Sequence, residues 1–181
     1  MSIYELFFTS ISLSMDAFAS SICKGMTGKN SIKNGFIISF SFGLFQALMP
    51  LIGYFLGDIF SQQIIKYDHY LALILLSLIG INMIKNYRED TKVDSKISFK
   101  ELILLSIATS IDALIVGITL SFLQVNLILS ITIIGLITFI VCFIGYNLGS
   151  IVGKKLNNYA KLFGGIVLII IGIKTFIEHI L

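Results

Sequence analysis

The chain has few charged residues, a single proline and only two cysteines. Asp, Glu, Lys and Arg make up 13% of its 181 residues, whereas a soluble domain carries about 25%. This shortage of charge excludes an ordinary soluble domain. Cys23 and Cys142 have no cysteine or histidine at metal-ligand spacing, so neither a zinc knuckle nor a disulfide framework is predicted. The chain also has no glycine-rich phosphate loop and no Ser-His-Asp order, so we predict no enzyme activity, no cofactor and no nucleic-acid partner.

Apolar residues dominate what is present. They account for 56% of the chain, and the mean hydropathy is +0.97. About 20 apolar residues cross a bilayer as a helix, and a spanning segment must satisfy its backbone polar groups internally. The sequence therefore predicts an all-α integral membrane protein with six transmembrane helices in a lipid bilayer. The predicted spans run from Ile3 to Cys23, Gly35 to Gly57, Tyr70 to Ile84, Leu102 to Leu123, Leu127 to Val152 and Leu162 to Ile177.

Basic residues collect on one side of this arrangement. With the loops placed alternately on two sides, only Lys66 and Lys174 fall on one of them. Because excess lysine and arginine mark the cytoplasmic side, we predict a multi-pass protein of the cytoplasmic membrane with both termini outside. The segment 87–100 is then a cytoplasmic linker. The eleven basic residues on the cytoplasmic side are Lys24, Lys29, Lys33, Lys85, Arg88, Lys92, Lys96, Lys100, Lys154, Lys155 and Lys161.

The two halves of the chain resemble each other. Ser-Met-Asp-Ala at 14–17 matches Ser-Ile-Asp-Ala at 110–113, an offset of 96. Gly-Tyr-x-Leu-Gly at 53–57 then matches the same pattern at 145–149, an offset of 92. We predict two three-helix repeats, residues 1–86 and residues 101–181. Because three is odd, the second repeat enters the membrane from the opposite side, which is the inverted topology of many transporters.

Asp16 and Asp112 occupy matching places near the middle of the first and fourth predicted spans. A carboxylate at membrane depth costs about 2.5–3.5 kcal/mol on insertion scales, so such residues are usually functional. The two spans are antiparallel in an inverted repeat, so both carboxylates lie near the membrane midplane and can meet. Together they would balance the charge of one divalent cation.

Neutral oxygen atoms accompany the two aspartates. Ser12 and Ser20 share a helix face with Asp16, and Thr109 lies one turn before Asp112. Gln46 lies mid-span in the second helix, four residues before Pro50, which frees the carbonyl of Gln46 from its helical hydrogen bond. Carboxylate, hydroxyl and carbonyl oxygens suit Mg, Ca and Mn. Alternatively, the hydroxyls bond to their own helix, and Gln46 bridges two helices. The predicted metal ligands are Asp16, Asp112, Gln46, Ser12, Ser20 and Thr109.

Several longer motifs resemble one family. They include Ser-Met-Asp-Ala-Phe-Ala at 14–19, Met-Pro-Leu-Ile-Gly at 49–53, Ala-Thr-Ser-Ile-Asp-Ala at 108–113 and Gly-Ser-Ile-Val-Gly-Lys-Lys at 149–155. With these motifs the chain resembles the bacterial manganese efflux pumps (MntP) essentially from end to end. The resemblance implies a secondary transporter that exports Mn(II), with manganese as the substrate and not as a cofactor. Asp16 and Asp112 match the family's intramembrane carboxylates, and alternating access would follow from rocking of one repeat against the other.

Other functions are open at this stage. A carrier of the same class could export another divalent cation or a small cationic solute. An intramembrane aspartyl protease also uses two aspartates, but those enzymes carry Gly-x-Gly-Asp, whereas Asp112 follows Thr-Ser-Ile and Asp16 follows Leu-Ser-Met. A membrane scaffold without transport activity would leave the buried carboxylates unexplained. The sequence predicts no oligomeric state.

Overall fold

The structure, a computed structural model, describes residues 3–27, 31–85, 98–122, 125–156 and 160–180. Within these ranges the chain is helical apart from short connections, and no strand occurs, so the all-α prediction is confirmed. The helices are α1 (Ile3–Thr27), α2 (Ile32–Lys85), α3 (Phe99–Ala108), α4 (Ile111–Phe122), α5 (Leu127–Leu156) and α6 (Ala160–Ile180).

Several helices are suited to cross a membrane. Among the described residues, Tyr4–Thr27, Ile32–Gly57 and Leu127–Gly153 are long and apolar enough, and α3 with α4 would make a fourth span bent by 45°. These four match the first, second, fifth and fourth predicted spans. The helices also present large exposed apolar side chains, such as Phe36, Phe55 and Ile128, which soluble proteins rarely display over wide areas. The third and sixth spans are helical parts of α2 and α6, and as membrane crossings they stay predictions.

The second and third predicted spans are not separate helices. The structure has one helix, α2, from Ile32 to Lys85, and the loop expected between the spans is helical. The sequence of residues 58–69 is polar enough to end an apolar run, but it contains no glycine or proline. Glycine and proline are the residues that most often end a helix. The polar residues at 58–69 therefore end the apolar segment but not the helix, which continues to Lys85.

The predicted linker, residues 87–100, lies mostly outside the described residues, which resume at Ser98. Ser98 caps α3, because its hydroxyl oxygen accepts a hydrogen bond from the Glu101 backbone N–H at 3.4 Å. In the first turn of α3, Glu101 forms an ion pair with Lys24 in the last turn of α1. The end of α1 and the start of α3 thus lie on the same side, which agrees with the distribution of basic residues.

Each half of the chain packs its first helix on the other half. Helix α1 runs along α5, α2 runs along α3 and α4, and α1 makes few contacts with α2. Glycines allow the backbones to approach closely. A Cβ atom on Gly149 would lie 2.1 Å from the Ile22 carbonyl oxygen, and one on Gly53 would lie 2.0 Å from the Leu114 carbonyl oxygen. We call these pairs the α1–α5 unit and the α2–α4 unit, the latter including α3.

The contacts in the two units correspond under the sequence repeat. Gly145 approaches Phe18 in the α1–α5 unit, and its counterpart Gly53 approaches Leu114, the counterpart of Phe18. A Cβ atom on Gly149 would lie 2.1 Å from the Ile22 carbonyl oxygen, whereas one on its counterpart Gly57 would lie 3.5 Å from the Ile118 carbonyl oxygen and closer to the Ser121 hydroxyl. These counterpart glycines therefore face counterpart residues, but the atoms in contact and their distances differ.

The two units meet where α2 crosses α5. A Cβ atom on Gly43 would lie 2.8 Å from the carbonyl oxygen of Gly135, and these two glycines are counterparts at the offset of 92. Beside this crossing, the largest buried apolar cluster joins α1, α2, α3, α5 and α6, with members such as Ala17, Phe42 and Leu105. The crossing lies three residues before Gln46 on α2, which brings the interface between the units to the predicted site.

Candidate metal site

Asp16 lies in the middle of the unbroken helix α1 and is half-buried. The hydroxyls of Ser10 and Ser14 on this helix donate to their own carbonyls, those of Leu6 at 2.6 Å and Ile11 at 2.7 Å. Such back-bonding is the ordinary use of serine within a helix. The hydroxyl of Ser20 is different, because it is fully buried and has no hydrogen-bond partner. Ser12 is exposed. As metal ligands, Ser12 and Ser20 stay predictions.

Asp112 lies at a helix start, not at the middle of one continuous helix. The fourth span, predicted from Leu102 to Leu123, is divided at Thr109 and Ser110 into α3 and α4. Asp112 is half-buried in the first turn of α4, where the backbone N–H groups have no partner within the helix. The Ala113 N–H donates to Asp112 Oδ1 at 2.8 Å. The prediction of an unbroken fourth helix is therefore wrong.

Hydroxyl groups accompany this break. In a continuous helix the Ser110 N–H would donate to the carbonyl of Ser106. Instead it donates to Ile107 at 3.1 Å, and the Ser110 hydroxyl donates to Ser106 at 2.7 Å. Thr109 reinforces this turn, because its hydroxyl donates to Leu105 at 3.0 Å. The counterparts on α1 are Leu13 and Ser14, and there a leucine replaces the threonine and the helix continues.

Gln46 links α2 to α1. Its side chain is fully buried, and its Nε2 donates to the backbone carbonyl of Leu13 at 3.1 Å. Leu13 lies three residues before Asp16, so Gln46 reaches within one turn of that carboxylate. Bridging of two helices, one of the two predicted roles, is therefore observed. The amide oxygen Oε1 has no hydrogen-bond partner, so it is also available to a ligand.

Gln46 also lies level with the α3–α4 break. On one side of the break, the hydroxyls of Ser41 and Ser106 are 2.9 Å apart. On the other side, a Cβ atom on Gly117 would lie 2.1 Å from the carbonyl oxygen of Pro50. Gln46 is about midway between Ser41 and Pro50 on α2, just as Asp112 is about midway between Ser106 and Gly117. Along α2, Gln46 therefore lies at about the same height as Asp112, and its hydrogen bond to Leu13 places it within one turn of Asp16.

Gln46 therefore lies within one helical turn of Asp16 on α1 and at about the height of Asp112 on α4, which Thr109 precedes by one turn. As ligands of one shared metal, these four residues stay predictions. The described residues contain no group of three or more His, Cys, Asp or Glu side chains able to hold a metal. A cation at this level would depend on two carboxylates and on neutral oxygens. Sequence reasoning did not select Ser39 and Thr138, whose hydroxyls are buried without a partner. The sequence feature that points to Thr138 is the repeat, because Thr138 is the counterpart of Gln46 at the offset of 92.

The chain matches known proteins over most of its length. Residues 29–176 match the family described as "Putative manganese efflux pump". A protein of that name from Campylobacter jejuni (strain 81-176) is 51% identical over 99% of this chain and 98% of its own length. One from Acetivibrio thermocellus is 47% identical over 99% and 93%, and one from Desulfitobacterium hafniense is 46% identical over 97% and 95%.

No solved structure matches this chain, so the sequence matches carry the assignment. Their identity to this chain is 46–51%, and the matches cover 97–99% of it. The family and these relatives are named as pumps and not as enzymes. The chain belongs to the MntP family of manganese efflux pumps.

Proposed function

We propose that this protein is a secondary transporter that exports Mn(II) from the cytoplasm across the cytoplasmic membrane. The observation that carries the proposal is the buried amide of Gln46, whose Nε2 donates to the Leu13 carbonyl, one turn before Asp16, and whose Oε1 has no hydrogen-bond partner. Membership of the MntP family supports manganese as the substrate.

The residues at this level favour a hard divalent cation. Two carboxylates supply the opposite charge, and Gln46 and Thr109 offer neutral oxygens. Such ligands suit manganese, magnesium and calcium, whereas softer metals prefer thiolate or imidazole. We propose Asp16 and Asp112 as the principal ligands, with Gln46 and Thr109 beside them. Ser20 is buried one turn beyond Asp16, and its hydroxyl would bind an ion that moves toward the cytoplasmic end.

We infer that the moving parts are the α1–α5 unit and the α2–α4 unit. Asp16 belongs to the first and Asp112 to the second, so a relative movement would change the distance between the two carboxylates. Close glycine contacts occur within each unit and also between them, at Gly43 and Gly135, so a relative movement of the units would take place at the crossing of α2 and α5. Rocking of one sequence repeat against the other stays the alternative prediction, although α1 and α2 of the same repeat make few contacts.

We also propose that residues 1–86 and 101–181 are inverted-topology repeats, joined by a cytoplasmic linker at 87–100. The equivalent contacts of Gly53 with Leu114 and of Gly145 with Phe18 support a two-fold relation between the halves. Both termini would then face outside. The ion pair of Lys24 with Glu101 supports one common side for the end of α1 and the start of α3.

Transport into everted membrane vesicles tests the proposal. Vesicles containing the protein should accumulate Mn(II), because the cytoplasmic face then points outward and export becomes uptake. Matched vesicles without the protein provide the background. Excess magnesium, calcium, cobalt or an organic amine added singly would identify a competing substrate of the same class. Uptake at the background level, with the protein correctly inserted, would contradict the proposal.

The ion pair between Lys24 and Glu101 is expected to hold the cytoplasmic end closed. It joins the two units, and its side chains are 13% and 27% exposed, so its contribution is about 1 kcal/mol or less. Lys24→Met or Glu101→Gln should therefore increase opening by roughly fivefold at most. Alkylation of Cys23, which is buried beside Lys24, measures that opening in a Cys142→Ala background.

The matched control is Lys100→Met, which removes an exposed charge from the same end of α3. The reversed pair, Lys24→Glu with Glu101→Lys, should return alkylation to the rate of the parent. If the single variants are alkylated no faster than Lys100→Met, the ion pair does not control opening.

A further inference from the structure

We propose that Thr138 is a further Mn(II)-binding residue, whose hydroxyl oxygen is the counterpart of the Gln46 amide oxygen. The inference rests on the proposed function, because it adds a ligand to the same site. Thr138 lies on α5 in the α1–α5 unit, and Gln46 lies on α2 in the α2–α4 unit. Each unit would then supply one carboxylate and one neutral oxygen.

The crossing of α2 and α5 brings Thr138 to the site. These helices approach each other at Gly43 and Gly135, where a Cβ atom on Gly43 would lie 2.8 Å from the Gly135 carbonyl oxygen. Gln46 follows Gly43 by three residues, and Thr138 follows Gly135 by three. The two helices run antiparallel here, since Gly35 approaches Tyr146 while Gly43 approaches Gly135. Gln46 and Thr138 therefore lie on opposite sides of the crossing, each about 4.5 Å from it along its own helix.

The hydroxyl of Thr138 is unlike the other serine and threonine hydroxyls of α5. Those of Ser130, Thr132 and Ser150 donate to backbone carbonyls of their own helix at 2.7–3.1 Å. Thr138 is fully buried, and its Oγ1 has no hydrogen-bond partner. A buried polar atom without a partner costs free energy. A bound cation removes that cost by taking the oxygen as a ligand.

The repeat relates Thr138 to the second aspartate. Gln46 donates to the carbonyl of Leu13, three residues before Asp16. The counterpart of Gln46 is Thr138, and the counterpart of Leu13 is Thr109, three residues before Asp112. By this correspondence we expect Thr138 to face the end of α3, where the helix is broken and Asp112 begins α4. Each carboxylate would then be accompanied by a neutral oxygen from the other unit.

The chemistry of this set fits a hard cation. Mn(II) takes six oxygen ligands in octahedral sites. Asp16, Asp112, Gln46 and Thr138 can supply four of them, and water can supply the others. A threonine hydroxyl remains a neutral ligand, so the total charge of the site stays balanced by the two carboxylates alone.

Equilibrium binding of Mn(II) to the purified full-length protein tests the proposal, with free manganese measured by electron paramagnetic resonance. Thr138→Val keeps the shape of the side chain and removes the hydroxyl, so we expect the Kd to rise about tenfold, which is the effect of losing about 1.4 kcal/mol. Thr138→Ser keeps the hydroxyl and should bind nearly as the parent does. Thr132→Val is the control, because that hydroxyl is exposed on the same helix.

Three results would overturn the assignment. The first is that Thr138→Val binds Mn(II) as tightly as the parent. The second is that Thr138→Ser and Thr138→Val lose the same affinity, which would indicate an effect on packing and not on a ligand. The third is that Thr132→Val loses as much affinity as Thr138→Val. Melting temperatures of the metal-free variants show whether each one is folded. Failure of the parent itself to bind or transport Mn(II) would instead contradict the proposed function, which distinguishes the two failures.

Discussion

Replacement of either Asp16 or Asp112 by asparagine is expected to abolish manganese export, with a loss of about a hundredfold or more in rate. Asparagine has nearly the same shape, but it removes one of two negative charges that face a divalent cation in a medium of low dielectric constant, where charge interactions are strong. Asparagine also remains suited to the start of α4, so Asp112→Asn should fold. Growth and cell-associated manganese in a manganese-sensitive, efflux-deficient host measure the loss.

The matched control is Asp94→Asn, the same chemical change in the predicted linker, which should leave export intact. All variants are compared at equal amounts in the membrane. Rescue by Asp16→Asn or Asp112→Asn equal to that of the parent would mean that the carboxylate is not an essential ligand. The paired-carboxylate site would then be wrong, even if the protein exports manganese.

Gly149→Ala is expected to destabilise the whole protein by separating the helices of the α1–α5 unit. Its Cβ atom would lie 2.1 Å from the Ile22 carbonyl oxygen, a backbone atom that cannot move without moving α1. Overpacking of this kind costs about 1–3 kcal/mol, which for a chain of this length corresponds to a fall in Tm of roughly 2–12 °C. Thermal unfolding of the purified protein in detergent measures the effect.

Gly53→Ala tests the corresponding contact of the α2–α4 unit and should cause a similar fall, because its Cβ atom would lie 2.0 Å from the Leu114 carbonyl oxygen. Leu148→Ala, at an exposed residue of α5, is the control and should change the Tm little. An unchanged Tm in Gly149→Ala and Gly53→Ala would show that the close helix contacts do not hold the units together.

Much of the fold and part of the site are predictable from local sequence. Apolar runs such as 127–152 are helical because backbone polar groups in lipid have no other partner. Asp16 and Asp112 stand out because a carboxylate in an apolar run is costly, and the glycines at 53, 57, 145 and 149 mark close helix contacts. These are properties of single segments, and comparison of the two halves reveals their repetition.

Whether a helix continues or breaks at a given residue is not predictable from the local sequence, because side-chain and backbone groups compete for the same carbonyl oxygens. Ser14 and Ser110 are counterparts with the same aspartate two residues later, yet α1 continues and the fourth span breaks. Each serine can bond to its own helix in either case, and the result depends on the neighbouring Leu13 or Thr109 and on the packing around them. Residues 58–69 show the converse, since a polar segment without a helix breaker stayed helical.

The sequence by itself determined that this is a helical membrane protein of the MntP family with two matched intramembrane aspartates. Hydropathy, spacing and motifs are carried by neighbouring residues and need no knowledge of the fold. Only the tertiary structure decided that α1 packs on α5 and α2 on α4, that Gln46 reaches the carbonyl of Leu13, and that the Thr138 hydroxyl has no partner. The physical reason is that a hydrogen bond or a helix contact between distant segments depends on how all the helices pack together.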